Sequence, residues 1–381
     1  MMAAEVLGLG ALSGEPNPGF AQAVVTIPSE PDCAACTIEL EHVFAIQDAE
    51  PFWLGGTLTL VRDSQGRYHA TSLTVTPGEI HVLNSRGQWI RSYGRQGRGP
   101  GEGIMTFAPV AFNVDTAYVY DIMLRRYSVW SPTLEFVRSF NGPPPDEAAI
   151  MTQDGHLLIA SAVMTREGIG WPLHFLDRVT GEVVKSFGSY DPTQPLGVIE
   201  PNRRRLAVSK DGRFWAAFLT EYRIGLWDGN GRQVLEVQRN VDWFRAHDGQ
   251  VGPDGETGAY IKALWEDAEG LLWLVIQVPD ENRRANRSRL RDPGDGMGPR
   301  PESALTFHGM LDTVIEVIDP RKGTLIASRR LDDNLRTFGN GAPLHAYREQ
   351  ASGVPSYDVY RAKLLRSNPV DRSDPTRREQ K

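Results

Sequence analysis

Two cysteines occur in the 381 residues, three positions apart in Cys33-Ala34-Ala35-Cys36. That spacing serves thiol exchange, haem attachment or half of a zinc site. Haem attachment needs His directly after the second Cys, where Thr37 stands. Zinc needs two further ligands at short spacing, and His42 alone does not supply them. Catalytic exchange usually sits where a strand enters a helix in a βαβ unit, and no such unit follows. A local structural disulfide is the expectation, with free thiols or redox or metal work as the alternatives.

The second chemical signal is Gly94-Arg95-Gln96-Gly97-Arg98-Gly99-Pro100-Gly101-Glu102. Glycines permit positive φ and consecutive inward-facing amides that could cradle an anion. Arg95 and Arg98 would add charge. The same residues also suit a tight backbone crossing with arginines as decoration. Arg203-Arg204-Arg205 follows Pro201 at the entrance to a strand pattern. Between Pro279 and about Glu302 lie Arg283, Arg284, Arg287, Arg289, Arg291 and Arg300 against Asp280, Glu281, Asp292, Asp295 and Glu302. If the triplet and this insertion share one face, they form a patch for an anionic ligand, otherwise a solvated loop. The eight His residues show no ligand-like spacing and read as packed or surface residues.

These residues need a scaffold, and the composition describes one. Gly (38) and Pro (26) punctuate the chain heavily, as strands joined by tight turns require. A hydrophobic content of 40% excludes wholesale disorder. No apolar run approaches the roughly 18 residues of a membrane helix. A net charge of −7 argues against nucleic-acid binding by bulk charge. Nearly all the basic residues are Arg, with Lys only at 185, 210, 262, 322, 363 and 381, which fits a coding bias as well as any recognition role.

A repeat organises residues 80–328. Hairpins centred near Asn84, Ser131, Asp177, Asp228 and Asp319 each join two apolar strands through an Asx-type turn. Three of them end alike, in Arg91-Ser92-Tyr93-Gly94, Arg138-Ser139-Phe140-Asn141 and Lys185-Ser186-Phe187-Gly188. Upstream of each lies another polar turn, at Asp63–Gly66, Asn113–Thr116, Gln153–Gly155, Lys210–Gly212 and Asp267–Gly270, followed by a strand. Two hairpin turns per unit make four antiparallel strands, one propeller blade. A sixth blade comes from both ends: 343–348 and 357–364, with 37–44 as the outer closing strand. Closure removes exposed sheet edges. The expected fold is all-β, a six-bladed propeller over residues 33–365, with the insertion 279–302 in blade five. Residues 1–32 read as a signal-like or disordered leader and 366–381 as a disordered charged tail.

The string Ser92-Tyr93-Gly94 followed by Gly97-Arg98-Gly99-Pro100-Gly101-Glu102 resembles six-bladed propeller proteins related to NHL repeats, secreted bacterial members included. Asp121, Arg126, Tyr127 and Trp130 match the spacing of that repeat, although Leu124 replaces its usual Asn. Cys33-Ala34-Ala35-Cys36 before the closing strand and Tyr357 to Leu364 at the end share the likeness, which covers roughly residues 33–365. The resemblance implies a non-catalytic binding scaffold outside the cytoplasm, periplasmic or secreted. Its partner would be a protein, peptide, glycan or small anionic ligand, with Arg95, Arg98, Arg203, Arg204 and Arg205 as binding residues. No nucleic acid, no transmembrane segment, no cofactor and a monomer are expected. Some relatives are lactonases or lyases with a metal or a His/Glu set at the channel mouth. A metal-dependent hydrolase or lyase, with calcium or zinc in the channel, is therefore the second expectation.

Overall fold

The computed structural model describes residues 23–47, 58–71, 78–105, 109–114, 116–146, 149–161, 164–165, 168–188, 202–249, 258–281, 290–291, 300–301, 310–337, 343–349 and 354–366. The short turns foreseen in the sequence are made by one device used again and again. Asp63, Asn84, Asp228 and Asp267 each accept the amide hydrogen of the residue four positions on, through a side-chain oxygen. Ser131 and Thr152 do the same through a hydroxyl. A side chain that replaces water at the turn's own amides lets the strands on either side pair at once.

Six antiparallel blades result, and the all-β six-bladed expectation holds. Blade one comprises Thr59–Arg62, Tyr68–Thr71, Glu79–Leu83 and Trp89–Gly94. Blade two comprises Ala111–Asn113, Thr116–Asp121, Arg126–Trp130 and Phe136–Asn141. Blade three comprises Ala149–Met151, Leu157–Ala160, Leu173–Leu176 and Val183–Phe187. Blade four comprises Arg204–Val208, Phe214–Phe218, Arg223–Trp227 and Gln233–Arg239, and blade five Tyr260–Glu266, Leu272–Pro279, Leu311–Asp319 and Thr324–Leu331. Blade six pairs Leu344–Glu349 with Pro355–Arg366, and that strand with the closing strand Cys36–Gln47. Among the described residues its innermost strand is reduced to a bridge between Arg336 and His345.

The core is divided into six apolar clusters, one for each pair of neighbouring blades. Trp130, Tyr93 and Val119 join blades one and two, and Tyr127, Phe140 and Leu157 join two and three. Phe175, Phe187 and Phe214 join three and four, and Ile224, Val237 and Leu274 join four and five. Trp273 and Ile315 pack on Ile38 and Leu344 between five and six, and Phe44 and Tyr357 pack on Tyr68 between six and one. This last cluster closes the ring. Side chains alternate along each strand, so every blade feeds the clusters on both its sides.

One sequence expectation changes. Ala23–Ile27 is a strand, added parallel to the outer strand Gln233–Arg239 of blade four. The leader reading therefore fails from Ala23 onward, because Ile27 is buried in the cluster between blades four and five. Residues 1–22 lie outside the described residues. The connection from Leu272–Pro279 to Leu311–Asp319 covers 280–310, and the Asp280 amide donates to the Met310 carbonyl across its base. It holds a small ladder of Leu290–Arg291 with Arg300–Pro301; Arg283, Arg284, Arg287 and Arg289 lie outside the described residues, as do 367–381. Cys33 and Cys36 form the expected disulfide, with Cα atoms 5.3 Å apart.

The first strands of blades two, three, four and five touch one another in turn and so line the axis. In blades one to five, the connections between first and second and between third and fourth strands never exceed six residues. All of these leave from one face of the ring. The connections at 95–110, 161–172, 240–259 and 280–310 all leave from the other.

Candidate functional site

The longer connections make that second face the place to seek a site. The glycine-rich crossing from Gly94 lies there, between blades one and two. One of its amides, that of Gly99, is turned to an anion, and that anion is Glu102 of the same segment. Glu102 accepts the Gly99 amide at 2.7 Å and pairs with Arg95 at 2.7 Å. The Gly99 amide first, then Arg95, hold its carboxyl below the ordinary range. Gly97, at φ 151°, is needed for this approach, since a Cβ there would collide with the Glu102 carboxylate.

Blade two fixes the crossing from its far side. Asp121 accepts the amides of Ile104 and Met105 at 2.6 and 3.0 Å, and that of Leu124 at 2.7 Å. Arg126 donates to the carbonyls of Arg98, Gly99 and Glu102 at 3.2, 3.0 and 2.8 Å. The Asp and Arg of the repeat-like motif are thus a clamp on the preceding connection. Leu124 in place of Asn costs the clamp nothing, because only its amide is used.

Arg203, Arg204 and Arg205 open the innermost strand of blade four on the same face, beside the axis. Arg203 donates to the Asp146 carbonyl of the blade-three side at 3.3 Å. Arg205 donates to the Lys262 carbonyl of blade five at 3.0 Å. Arg204 is buried, with its guanidinium 3.2 Å from the centre of the Phe218 ring; Arg223 lies 3.8 Å from the same ring. Burial, and then the charge of Arg223, bring Arg204 down to about 9, which leaves it a cation at neutral pH. Arg223 pairs with Glu221 at 3.1 Å and stays about one-third exposed. The triplet therefore ties blade four to both neighbours, while Arg203 and Arg223 keep surface for a ligand. Arg95 and Arg98 lie on the connection between blades one and two and the triplet opens blade four, so the two clusters share a face but not a site. Phe218 and Arg223 escape sequence reading, since nothing in Phe218-Leu219-Thr220-Glu221-Tyr222-Arg223 departs from a strand and a turn.

Among the described histidines, His69, His81, His174 and His345 are buried and His42 is exposed, as packed or surface residues would be. His81 and His174 bond Ser92 and Ser186 at 2.8 Å in blades one and three, and burial lowers both imidazoles from their ordinary pKa. His69 bridges Asp63 at 3.1 Å and the Tyr93 hydroxyl at 3.0 Å on the short-turn side of blade one. Burial raises the Tyr93 hydroxyl far above its usual range, and opposes Asp63, whose bonds from His69 and Arg67 nonetheless hold it low. A relay-like trio thus carries no accessible reacting atom and serves the turn. Among the described residues no group of three or more His, Cys, Asp or Glu is placed to hold a metal, and no helix is long and apolar enough to cross a membrane.

No family model matches this chain, and no curated protein does either. Solved structures do. A member of the DUF4221 family from Bacteroides vulgatus superposes with a TM-score of 0.59 at 11% identity, over 86% of this chain and 99% of that one. A candidate exported protein from Bacteroides fragilis gives 0.54 at 10% identity, over 90% of this chain and 100% of that one. Identities this low establish a shared fold and nothing of its chemistry. A virginiamycin B lyase from Staphylococcus aureus superposes at only 0.43 and 10% identity, too loosely to bear on activity.

Proposed function

We propose that the chain is a non-catalytic binding propeller of the NHL-related kind, working outside the cytoplasm through its loop-bearing face. The observation that carries this reading is the asymmetry of the ring. One face is made of turns saturated by their own side chains, and the other carries the connections at 95–110, 161–172, 240–259 and 280–310. On that second face Arg204 and Arg223 flank the Phe218 ring beside the axis, and Arg223 stays about one-third exposed, an arrangement suited to an anionic group on a protein, peptide or glycan. The Cys33–Cys36 disulfide supports an oxidising compartment, and the Bacteroides fragilis neighbour is described as exported.

The test is an array of acidic and neutral peptides and of sulfated and neutral glycans, probed with the whole chain. Arg223→Glu should weaken an anionic hit about tenfold or more, as loss and reversal of a charged contact does. Arg232→Glu, an exposed arginine on the short-turn side, should leave that hit unchanged. The opposite pattern would refute the reading. A calcium- or zinc-dependent rise in melting temperature would favour the metal-dependent hydrolase or lyase instead.

A further inference from the structure

The connection at 240–259 carries the chain from blade four to blade five on the loop-bearing face, and His247 joins its two described stretches, 240–249 and 258–259. Nε2 of the ring donates to the Ala259 carbonyl at 2.9 Å, and Nδ1 accepts the Gly249 amide at 3.1 Å. Each backbone partner has a single role, since a carbonyl cannot donate and an amide N–H cannot accept. The two bonds therefore require a neutral imidazole with its proton on Nε2. A second proton would sit on Nδ1 and set N–H against N–H. His174 shows the contrast. It meets the Ser161 carbonyl at 3.2 Å and the Ser186 hydroxyl at 2.8 Å, and a hydroxyl turns from donor to acceptor. A charged His174 keeps both partners, and a charged His247 loses one.

The half-buried ring stands edge-on to Tyr260, with centres 4.8 Å apart, and the Tyr260 hydroxyl donates to the Gly249 carbonyl at 3.1 Å. It lies so close over Gly258 that a Cβ there would collide with it. The His247 amide donates to the Thr220 carbonyl at 3.3 Å, within the turn 219–222 that joins Phe218 to Arg223. In that turn the Leu219 amide donates to the Arg203 carbonyl at 3.3 Å, and the Arg223 amide to the Glu221 carbonyl at 2.8 Å. One run of backbone bonds thus leads from Gly249 through His247 to the turn that positions Arg223. The charged or titratable side chains around this tie are Tyr260 and Lys262 of blade five, Glu221 and Arg223 at the turn, and Arg245 and Asp248 of its own connection. Both ring nitrogens are taken by backbone instead. We propose that His247 is a pH-sensitive tie on this face. Neutral, it holds the connection and fixes the turn that carries Glu221 and Arg223; protonated, it releases Gly249 and frees both. Only the neutral ring makes both bonds, so the tie is present at higher pH and lost as the pH falls. What the freed turn does to binding rests on the function proposed above, whereas the tie itself does not.

Amide hydrogen exchange of the whole chain at about pH 7.5 and about pH 5, across the range in which imidazoles change charge, tests the tie. Protection is compared after correction for the pH dependence of free amides. In the wild type the Gly249 amide should lose protection about fivefold on acidification, the worth of one hydrogen bond, and the Leu219 and Arg223 amides should lose protection with it. The amides of Thr116–Asp121 in blade two are the reference for the ring as a whole. His247→Gln and His247→Ala remove the titrating group, so the step should vanish in both. The Gln side chain carries a donor and an acceptor and should stay near the high-pH level, with Ala near the low one. A wild-type step no larger than that of the reference, or a step of wild-type size in His247→Ala, overturns the proposal. A step at Gly249 without one at Leu219 and Arg223 overturns the link to the turn. No ligand enters the measurement, so its failure is distinct from failure of the peptide and glycan array.

Discussion

Blades one to three and blades four to six solve the same problem, joining each blade to the next, in different ways. In the first half a basic residue at the same strand position crosses each joint. Arg91 of blade one donates to the Thr133 carbonyl of blade two at 3.4 Å, and Arg138 of blade two to the Val179 carbonyl of blade three at 3.0 Å. Lys185 of blade three donates to the Asn230 carbonyl of blade four at 2.6 Å. These are the basic residues of the repeated Arg/Lys-Ser-aromatic ending, so the joint is copied along with the blade. Blade four has Leu235 at that position, and the copy stops.

From there one N-terminal strap does the work. Its strand Ala23–Ile27 covers the outer edge of blade four. Arg239 then donates to the carbonyls of Pro28 and Ser29 at 3.1 and 2.7 Å and pairs with the buried Glu316 of blade five. Glu316 also accepts the Tyr222 hydroxyl at 2.5 Å and the Ser328 hydroxyl at 3.0 Å. The Asp32 amide donates to the Leu325 carbonyl of blade five at 2.8 Å. After the disulfide the chain becomes the outer strand of blade six, where Arg329 of blade five donates to the Ile38 carbonyl at 2.7 Å. The first half is held by local repetition, and the second also by contacts between residues more than 200 apart in the chain. Contacts of that range form only after the intervening chain is ordered, so the second half depends on closure of the ring.

The comparison can be broken most forcefully at Glu316. Glu316→Ala leaves the Arg239 guanidinium and the Tyr222 hydroxyl buried without their acceptor and should cost about 3–5 kcal/mol, read by urea denaturation. Replacing both charges, Arg239→Met with Glu316→Leu, should recover most of that loss. A cost below about 1 kcal/mol for Glu316→Ala would mean that this ion pair is not the joint. Next in size, Cys33→Ser with Cys36→Ser removes a clasp within four residues and should cost ~2 kcal/mol, with protease cutting rising first between residues 23 and 36. Equal protection of that segment in both proteins would separate the disulfide from the strap. The smallest effect belongs to the first half. Arg138→Ala removes one copied hydrogen-bonding residue and should cost about 1 kcal/mol in the same denaturation experiment. A loss as large as that of Glu316→Ala would erase the distinction between the halves.

Much of the fold was legible in the residues. Asp63, Asn84, Asp228 and Asp267 announced turns, and each makes its turn with its own side chain. The alternation in Thr37–Phe44 announced the closing strand, which pairs with Pro355–Arg366. The crossing Gly94–Glu102 was legible as a compact connection with an anion cradle, but not that Glu102 would be the anion. Ala23–Ile27 was hidden because five residues with Val24, Val25 and Ile27 fit a worn leader as well as a strand. Arg203–Arg205 stood out as charge, yet its use is divided between carbonyls of two neighbouring blades and the ring of Phe218.

By itself the sequence determined the number of blades, their turns and the means of closing the ring. Those choices are made within about five residues, where a side-chain oxygen either reaches its own turn's amides or does not. Only the tertiary structure decided which side chain completes each seam. Glu266 takes the Ser209 hydroxyl and the Trp215 indole N–H of blade four, and Arg239 finds Glu316 77 residues away. The physical reason is that a buried polar group must be satisfied by whatever the ring brings beside it, and that neighbour comes from a different blade.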